Sequence, residues 1–330
     1  MIDLYGYSYS QPEKYLREQN EKRNIKLIGN AAGLCVIAYV VIQNILSTVF
    51  LIFPSLYEMY MNDPTVQSIA TIFFSVFSLI IPFGTAGFYF EKKTGTDVFK
   101  FNKPVNNSLM ITAIPLGFFI CLVGNYVTSI FVSLMDMAGI TLSSPEYDVP
   151  SDFAGRTVYA IAVAVVPALV EEFAIRGAVM QPLRRYGDKF AILASAIVFA
   201  VLHGNLIQAP FALIAGIGIG YAVCITNSLW TGVLIHFCNN LYAVATEFMV
   251  ADIVNEEMLN KVYYITMFVL YAISIAGSVA FVVIRKKRRL MPSFTVLSEK
   301  NKMKAFVLTV PMIIGLIIMF GITLQYIEFN

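Results

Sequence analysis

The 330-residue chain is poor in charged residues and contains only two histidines and one tryptophan. Charged side chains make up 13% of it, whereas a soluble globular domain has about 25%. This scarcity excludes a soluble enzyme and a disordered chain. The 58% of hydrophobic residues and the mean hydropathy of +0.72 indicate a membrane protein. The formal net charge of +2 gives no strong field to attract a polyanion, so no nucleic-acid partner is expected.

Cysteine is also scarce, and the N-terminal segment lacks a cleavage signal. Four cysteines lie in apolar stretches without the spacing of a metal site, which predicts that they are packing residues. They are Cys35, Cys121, Cys224 and Cys238. Residues 1–26 are polar and basic, and no small-residue cleavage site follows them as it would in a signal peptide. We therefore predict a loose cytoplasmic tail over 1–26.

Nine apolar stretches are long enough, or nearly long enough, to cross a bilayer as helices, which takes about 20 residues. They are 27–54, 66–90, 108–135, 155–181, 189–204, 207–226, 228–249, 262–284 and 304–327. Helices satisfy their own backbone polar groups in lipid, whereas open strand edges do not. The sequence therefore predicts an all-α, polytopic membrane helix bundle with about nine transmembrane helices, eight being the alternative count.

The basic residues fall mostly on one side of this bundle if the N-terminus is cytoplasmic. Of the 23 Lys and Arg residues, only Arg156, Lys261 and the intramembrane Arg176 fall elsewhere. This distribution follows the positive-inside rule and predicts a cytoplasmic N-terminus. We interpret the run 285–289 as a topological anchor beside anionic lipid. The predicted location is the plasma membrane if the source is bacterial.

The fourth stretch contains three charged residues that are costly to insert into a membrane. Glu172 and Arg176 are spaced i, i+4, which predicts an ion pair on one helix face. Glu171 points about 100° away and is expected to face a different neighbour. Pro167 cannot donate a hydrogen bond to the carbonyl of Val163, so the helix should be loosened one turn before the acids. Such a helix is expected to line a water-filled cavity.

Both histidines of the chain also lie in predicted spans. His203 closes the fifth stretch, and His236 with Asn240 forms an i, i+4 pair in the seventh, whereas Asn239 should face elsewhere. A lone intramembrane histidine is often a satisfied hydrogen-bonding residue. Counting residues along the helices nevertheless brings these side chains to a similar depth as the two glutamates. We therefore expect one polar site, open to the cytoplasmic side.

These residue types are suited to peptide hydrolysis. A carboxylate in a low-dielectric cavity can act as general base, and the glutamate that is not paired with Arg176 would take this role. A histidine could orient the water, and an imidazole and a carboxamide could stabilise the oxyanion. The same residues allow a zinc site with an open position, formed by Glu171, His203 and His236. The spacing does not decide between the metal-free and the metal-dependent alternative.

The ordered motifs Glu-Glu-x-x-x-Arg, Phe-x-x-x-His and His-x-x-x-Asn resemble the CAAX protease and bacteriocin-processing family of intramembrane endopeptidases, also called the Abi family. The matching positions are Glu171, Glu172, Arg176, Phe199, His203, His236 and Asn240. The resemblance covers roughly residues 150–245. It implies that the first glutamate and first histidine activate water, while the second histidine and the asparagine stabilise the oxyanion.

The resemblance also implies the class of substrate. Eukaryotic members remove the last three residues of prenylated CAAX proteins, and others process peptides, confer bacteriocin immunity or act as scaffolds. The family has been described both as metalloproteases and as glutamate-dependent enzymes. We therefore predict an intramembrane endopeptidase for a membrane-associated or lipidated peptide or protein, with membrane lipid as the other partner. The oligomeric state is not predicted.

The predicted organisation of the chain has four parts. They are a tail over 1–26, N-terminal helices over 27–150, a catalytic helix core over 151–249 and C-terminal helices over 250–330.

Two functional alternatives stay open at this point. One is a non-catalytic scaffold or immunity protein, and the other is a proton-coupled transporter, since intramembrane Glu, His and Arg also form proton relays. Transporters often have internal repeats, and none is visible in this sequence.

Overall fold

The computed structural model describes residues 10–95, 97–145, 148–285 and 288–329. These ranges contain eleven helices, which confirms the predicted all-α polytopic bundle. The helices are α1 (Gln11–Ile52), α2 (Pro54–Asn62), α3 (Pro64–Thr94), α4 (Asn107–Met137), α5 (Phe153–Arg184), α6 (Asp188–Leu202), α7 (Ala209–Thr226), α8 (Leu229–Asp252), α9 (Glu256–Ile284), α10 (Glu299–Val307) and α11 (Val310–Leu324).

Two short strands, which the sequence did not predict, connect the C-terminal ends of two helices. Strand β1 (Ile140–Leu142) follows α4, and strand β2 (Ile327–Phe329) follows α11. They pair antiparallel, with Thr141 opposite Glu328. The C-terminal ends of α4 and α11 therefore lie at the same end of the bundle.

Judged by helix length and composition, fewer helices than the predicted nine could span a membrane. Among the described residues, seven helices are long and apolar enough to cross a membrane, or up to eight if α10 and α11, bent by 73°, form one span. Helix α6 has only 15 residues, about 22 Å, against a hydrocarbon core of about 30 Å. The predicted alternative count of eight is therefore the upper limit from length.

Helix α6 nevertheless extends along the bundle from one end toward the other. At its start, Asp188 accepts a hydrogen bond from the backbone N–H of Met291, in the segment that precedes α10. Just beyond its end, Gly204 lies against Met319 and Ile322 in the second half of α11. We call the end that carries Asp188 and Met291 the basic end.

The expectation of a loose tail over 1–26 is wrong for its second half, because α1 begins at Gln11. Ser10 and Glu13 form a capping box at this helix start, which satisfies free N–H groups. Glu21 is buried and accepts backbone hydrogen bonds from Val296 and Leu297, so a distant segment holds this part of α1. Residues 1–9 of the predicted tail, and Lys286 and Lys287 of the predicted anchor, lie outside the described residues.

Glycines allow α1 to pack directly against the backbone of the C-terminal helices. A Cβ atom on Gly29 would lie 2.3 Å from the carbonyl oxygen of Phe306, and one on Gly33 would lie 2.2 Å from the backbone nitrogen of Met312. Contacts between small residues and a neighbouring backbone are a main source of helix association in membranes. Helices α10 and α11 are therefore fastened to α1.

We expect Gly33→Ala to destabilise the protein, because its new methyl group would collide with backbone rather than with a movable side chain. Overpacking of this kind costs about 1–3 kcal/mol, which exceeds the gain of up to about 1 kcal/mol from alanine in a helix. Thermal unfolding of the purified protein in detergent measures the change. Gly321→Ala in α11 is the matched control, because nothing lies within 4 Å of its Cβ position. Equal melting temperatures for the two variants would contradict the close packing of α1 and α11.

Candidate active site

Helix α5 contains two π-helical segments on either side of a short α-helical turn. They are Ile161–Val165 and Glu172–Met180. Pro167 lies between them and has no N–H to give to the carbonyl of Val163, as the sequence predicts. That carbonyl instead accepts a hydrogen bond from Nδ2 of Asn240 on α8, at 3.1 Å. The predicted loosening of α5 is therefore confirmed, and π turns of this kind are frequent at functional sites.

Glu172 and Arg176 form the predicted ion pair, and neither side chain has any exposed surface. Arg176 Nη1 donates to Glu172 Oε1 at 2.9 Å, and Nη2 donates to the carbonyl of Gly216 on α7 at 3.3 Å. The guanidinium carbon also lies 4.5 Å from the centre of the Phe199 ring on α6. A buried, charge-assisted pair with these additional contacts holds Glu172 in a single orientation.

Both glutamates approach His236, so the expectation that Glu171 faces a different neighbour is wrong. His236 Nδ1 lies 3.0 Å from Glu172 Oε1, and Nε2 lies 3.8 Å from Glu171 Oε2. The reason is the π-helical segment that begins at Glu172, because a π turn holds more residues than an α turn. Consecutive side chains are then separated by a smaller angle, and the imidazole can lie between two adjacent carboxylates.

His203 lies just beyond the C-terminal end of α6 rather than inside the helix, which ends at Leu202. Its Nδ1 donates to the carbonyl of Phe199 at 2.8 Å, so in the neutral ring Nε2 carries no proton and is an acceptor. The Phe199 ring packs against both histidines, with ring centres 4.8 Å from His203 and 5.8 Å from His236. The two histidines therefore flank one phenyl ring, and His203 also interacts electrostatically with Glu171.

Asn240 and its neighbour Asn239 act together. Asn239 Nδ2 donates to Asn240 Oδ1 at 3.2 Å, and this contact turns the Asn240 amide nitrogen toward Val163 of α5. Only one of the two Nδ2 hydrogens is used by that carbonyl, so the other stays available. The sequence analysis expected Asn239 to face away from the site. Side-chain spacing on one helix does not reveal a hydrogen bond between adjacent residues, and this bond brings Asn239 into contact with the site.

Gly232 is a second residue that the sequence argument missed. A Cβ atom at this position would lie 2.6 Å from Glu172 Oε2, so only glycine leaves room for the carboxylate. Gly232 precedes His236 by four residues and therefore lies on the same face of α8. This i, i+4 relation was the signal that could have identified it.

Buried polar atoms without a hydrogen-bond partner concentrate at this site. Among the described residues seven such side-chain atoms occur, and four of them belong to the site. They are Glu171 Oε2, Glu172 Oε2, Arg176 Nε and Asn239 Oδ1. Native proteins leave few buried polar atoms unpaired, and such atoms call for an explanation in terms of function or bound water. Their concentration here leaves the site with unused hydrogen-bonding capacity.

The zinc alternative requires Glu171, His203 and His236 to converge as ligands. Within the described part of the chain, no group of three or more His, Cys, Asp or Glu side chains has an arrangement that could hold a metal ion. The Nδ1 atoms of both histidines are engaged by protein oxygens, which are Glu172 Oε1 and the Phe199 carbonyl, so only the Nε2 atoms could bind an ion. The residues as placed do not fit a zinc ion.

A second group of buried charges lies at the basic end and fixes the end of α5. Arg184 Nε donates to Asp188 Oδ1 at 2.8 Å, and Nη1 donates to Asn227 after α7 at 3.1 Å. Lys302 of α10 is fully buried and donates to the carbonyl of Tyr186 at 2.8 Å. Burial lowers the pKa of the nearby Lys100, and the positive charge of Arg184 acts in the same direction. These contacts anchor the helix that carries both glutamates.

Residues 153–242 match a family model described as type II CAAX prenyl endopeptidase Rce1-like. The matched segment begins with α5 and extends through most of α8, and it contains every candidate site residue. A comparison with curated proteins found no match, and a comparison with solved structures found none either.

We expect Arg176→Ala to destabilise the protein by about 3–5 kcal/mol, because it leaves the charge of Glu172 buried without its cation. Thermal unfolding in detergent and the amount of protein in membranes both measure this. The double variant Arg176→Ala with Glu172→Gln should recover part of the loss, since the stranded charge is then gone. Arg185→Ala, at an exposed position, is the matched control and should change the stability by less than about 0.5 kcal/mol. Wild-type melting of Arg176→Ala would show that the pair does not stabilise the fold.

Proposed function

Because segment 153–242 matches the model of the CAAX prenyl endopeptidase family, we propose that this protein hydrolyses a peptide bond of a membrane-associated or lipidated peptide or protein. The observation that carries the proposal is the different environment of the two adjacent glutamates. Glu172 is fully buried and held by Arg176 and His236, whereas the side chain of Glu171 is 24% exposed and has no such cationic partner on its own helix. Glu171 is therefore the glutamate that a water molecule can reach from outside the protein.

Glu171 is the general base of the proposed reaction. It takes a proton from a water molecule, and the oxygen of that water attacks the carbonyl carbon of the scissile bond. His203 orients the same water through Nε2, because its Nδ1 is already bound to the carbonyl of Phe199. The distance of 3.8 Å between Glu171 Oε2 and His236 Nε2 is too long for a direct hydrogen bond, so this carboxylate oxygen is not engaged by the imidazole.

His236 and Asn240 stabilise the negative oxygen of the tetrahedral intermediate. Asn240 uses the Nδ2 hydrogen that Val163 leaves free. His236 donates from Nε2, which requires a proton on each ring nitrogen, and Glu172 is then the counter-ion of the imidazolium. When the carbon–nitrogen bond breaks, the proton held by Glu171 passes to the leaving amine, which restores the carboxylate.

Three other residues position these groups without touching the substrate. Arg176 holds Glu172, Gly232 leaves room for Glu172 Oε2, and Asn239 orients the amide of Asn240. Removal of a single oxyanion donor typically costs about 10²–10³-fold in rate, so the orientation of His236 and Asn240 is as important as their identity.

A lipid-anchored substrate is the class that this location fits best. The site lies within helices α5 and α8, both of which are candidate membrane spans. A lipid chain on the substrate would remain in the bilayer, where each buried methylene contributes about 0.8 kcal/mol. The peptide could then reach Glu171 from the basic end, which we propose to be cytoplasmic.

We expect Glu171→Gln to lower hydrolysis by about 10²–10⁴-fold, because glutamine keeps the shape of the side chain but cannot accept the proton of water. The measurement is mass spectrometry of products from a synthetic farnesylated peptide with a C-terminal CAAX sequence, and of peptides released from membranes. A chelator should leave wild-type activity unchanged, since no step runs through a metal.

The matched control is Glu257→Gln, which makes the same chemical change at an exposed position in the first turn of α9. It should retain wild-type activity. If Glu171→Gln keeps wild-type product levels while folding normally, Glu171 is not the base. Loss of activity with chelator that zinc restores would instead favour the metal-dependent alternative.

The proposed orientation predicts which cysteines a membrane-impermeant thiol reagent can reach. With the native cysteines replaced, Arg185→Cys at the basic end should react only after cells are permeabilised. Val254→Cys, in the connection between α8 and α9 at the opposite end, is 94% exposed and should react in intact cells. The reverse labelling pattern would invert the topology and move the access route to the outer face.

A further inference from the structure

A groove separate from the candidate active site lies between α4, α6 and α7 and opens at the basic end. Its volume is about 400 Å³, and its walls are mainly aliphatic, with Ile120, Ile192, Ile214 and Ile217 among them. We propose that this groove binds an acyl chain of an anionic phospholipid, whose headgroup is held by Lys189 and Arg285. The site goes beyond the proposed function and shares no residue with it.

Helices α4 and α7 pack closely beside the groove, because α7 has a glycine where the two helices meet. Gly218 lines its floor, and Ile120 of α4 lies 2.8 Å from the position that a Cβ atom of Gly218 would occupy. The rim is exposed and apolar, since Leu193 is 43% exposed and Ile217 is 41% exposed. An apolar trough on the surface of a membrane bundle is complementary to a hydrocarbon chain and to no polar ligand.

Two cations border the groove at the basic end. Lys189 is exposed in the first turn of α6 and lines the groove directly. Arg285 follows α9 and donates from Nη1 to the hydroxyl of Tyr221, which also lines the groove. Among the described residues, neither Lys189 nor Arg285 forms an ion pair with an acidic side chain. Both positive charges therefore remain available for an anion.

An anionic phospholipid has both an acyl chain for the apolar groove and a negative headgroup for the two cations. A phosphodiester accepts hydrogen bonds from lysine and arginine together, and basic pockets between transmembrane helices bind anionic headgroups in this way. From Ile214 to Tyr221 the groove follows α7 for about 10 Å, so a chain can lie along it while its headgroup stays at the rim. A zwitterionic lipid offers the same chain but no net charge to the two cations.

Native mass spectrometry of the purified full-length protein tests the proposal, with phosphatidylglycerol and phosphatidylcholine of identical acyl chains as probes. The wild type should retain phosphatidylglycerol preferentially. Lys189→Ala and Arg285→Ala should each weaken this binding about five-fold, and the double variant about twenty-fold. Ile217→Trp should also weaken it, because the indole fills the trough while both cations remain.

Lys300→Ala is the matched control, since Lys300 is an exposed lysine at the same end but does not line this groove. It should bind phosphatidylglycerol like the wild type, and all variants should melt at the wild-type temperature. Equal retention of both lipids by the wild type overturns the proposal. So does wild-type retention by the double variant, and so does an equal loss in Lys300→Ala, which would indicate a diffuse charge effect.

Discussion

Glu172 carries a carboxylate with no exposed surface, and the helices of the site are held in register around it. One of its oxygens accepts from both Arg176 and His236, which ties α5 to α8. Arg176 extends the connection to α7 through the carbonyl of Gly216 and to α6 through the ring of Phe199. A charge in such an interior is tolerable only with a partner, so α5 to α8 have to assemble together.

The irregular backbone of α5 positions the polar side chains of the site. Pro167 removes one helical hydrogen bond, and the carbonyl of Val163 that becomes free is the group that positions Asn240. The second π-helical segment brings Glu171 next to Glu172 on the side of His236. Two adjacent carboxylates consequently reach one imidazole, with different partners and different exposure. Glu172 is fully buried and paired with Arg176, whereas Glu171 is partly exposed.

The segments outside the matched family region hold the ends of these helices. Lys302 of α10 is fully buried and binds the carbonyl of Tyr186, just after α5, while Glu21 of α1 binds the segment before α10. Gly33 allows α1 to contact the backbone of α11. The basic end therefore contains several buried ions, and Lys302 and Arg184 stabilise the fold there.

The sequence by itself determined the features that depend on neighbours along the chain. Apolar length predicted the helices, i, i+4 spacing predicted the pair of Glu172 and Arg176, and Pro167 predicted a weakened turn, because each follows from helix geometry alone. Only the tertiary structure decided the contacts between distant segments. The room that Gly232 leaves for Glu172 Oε2 comes from the packing of α5 on α8, and the burial of Glu21 comes from a segment far along the chain. Such contacts depend on how helices pack, and no local period in the sequence encodes them.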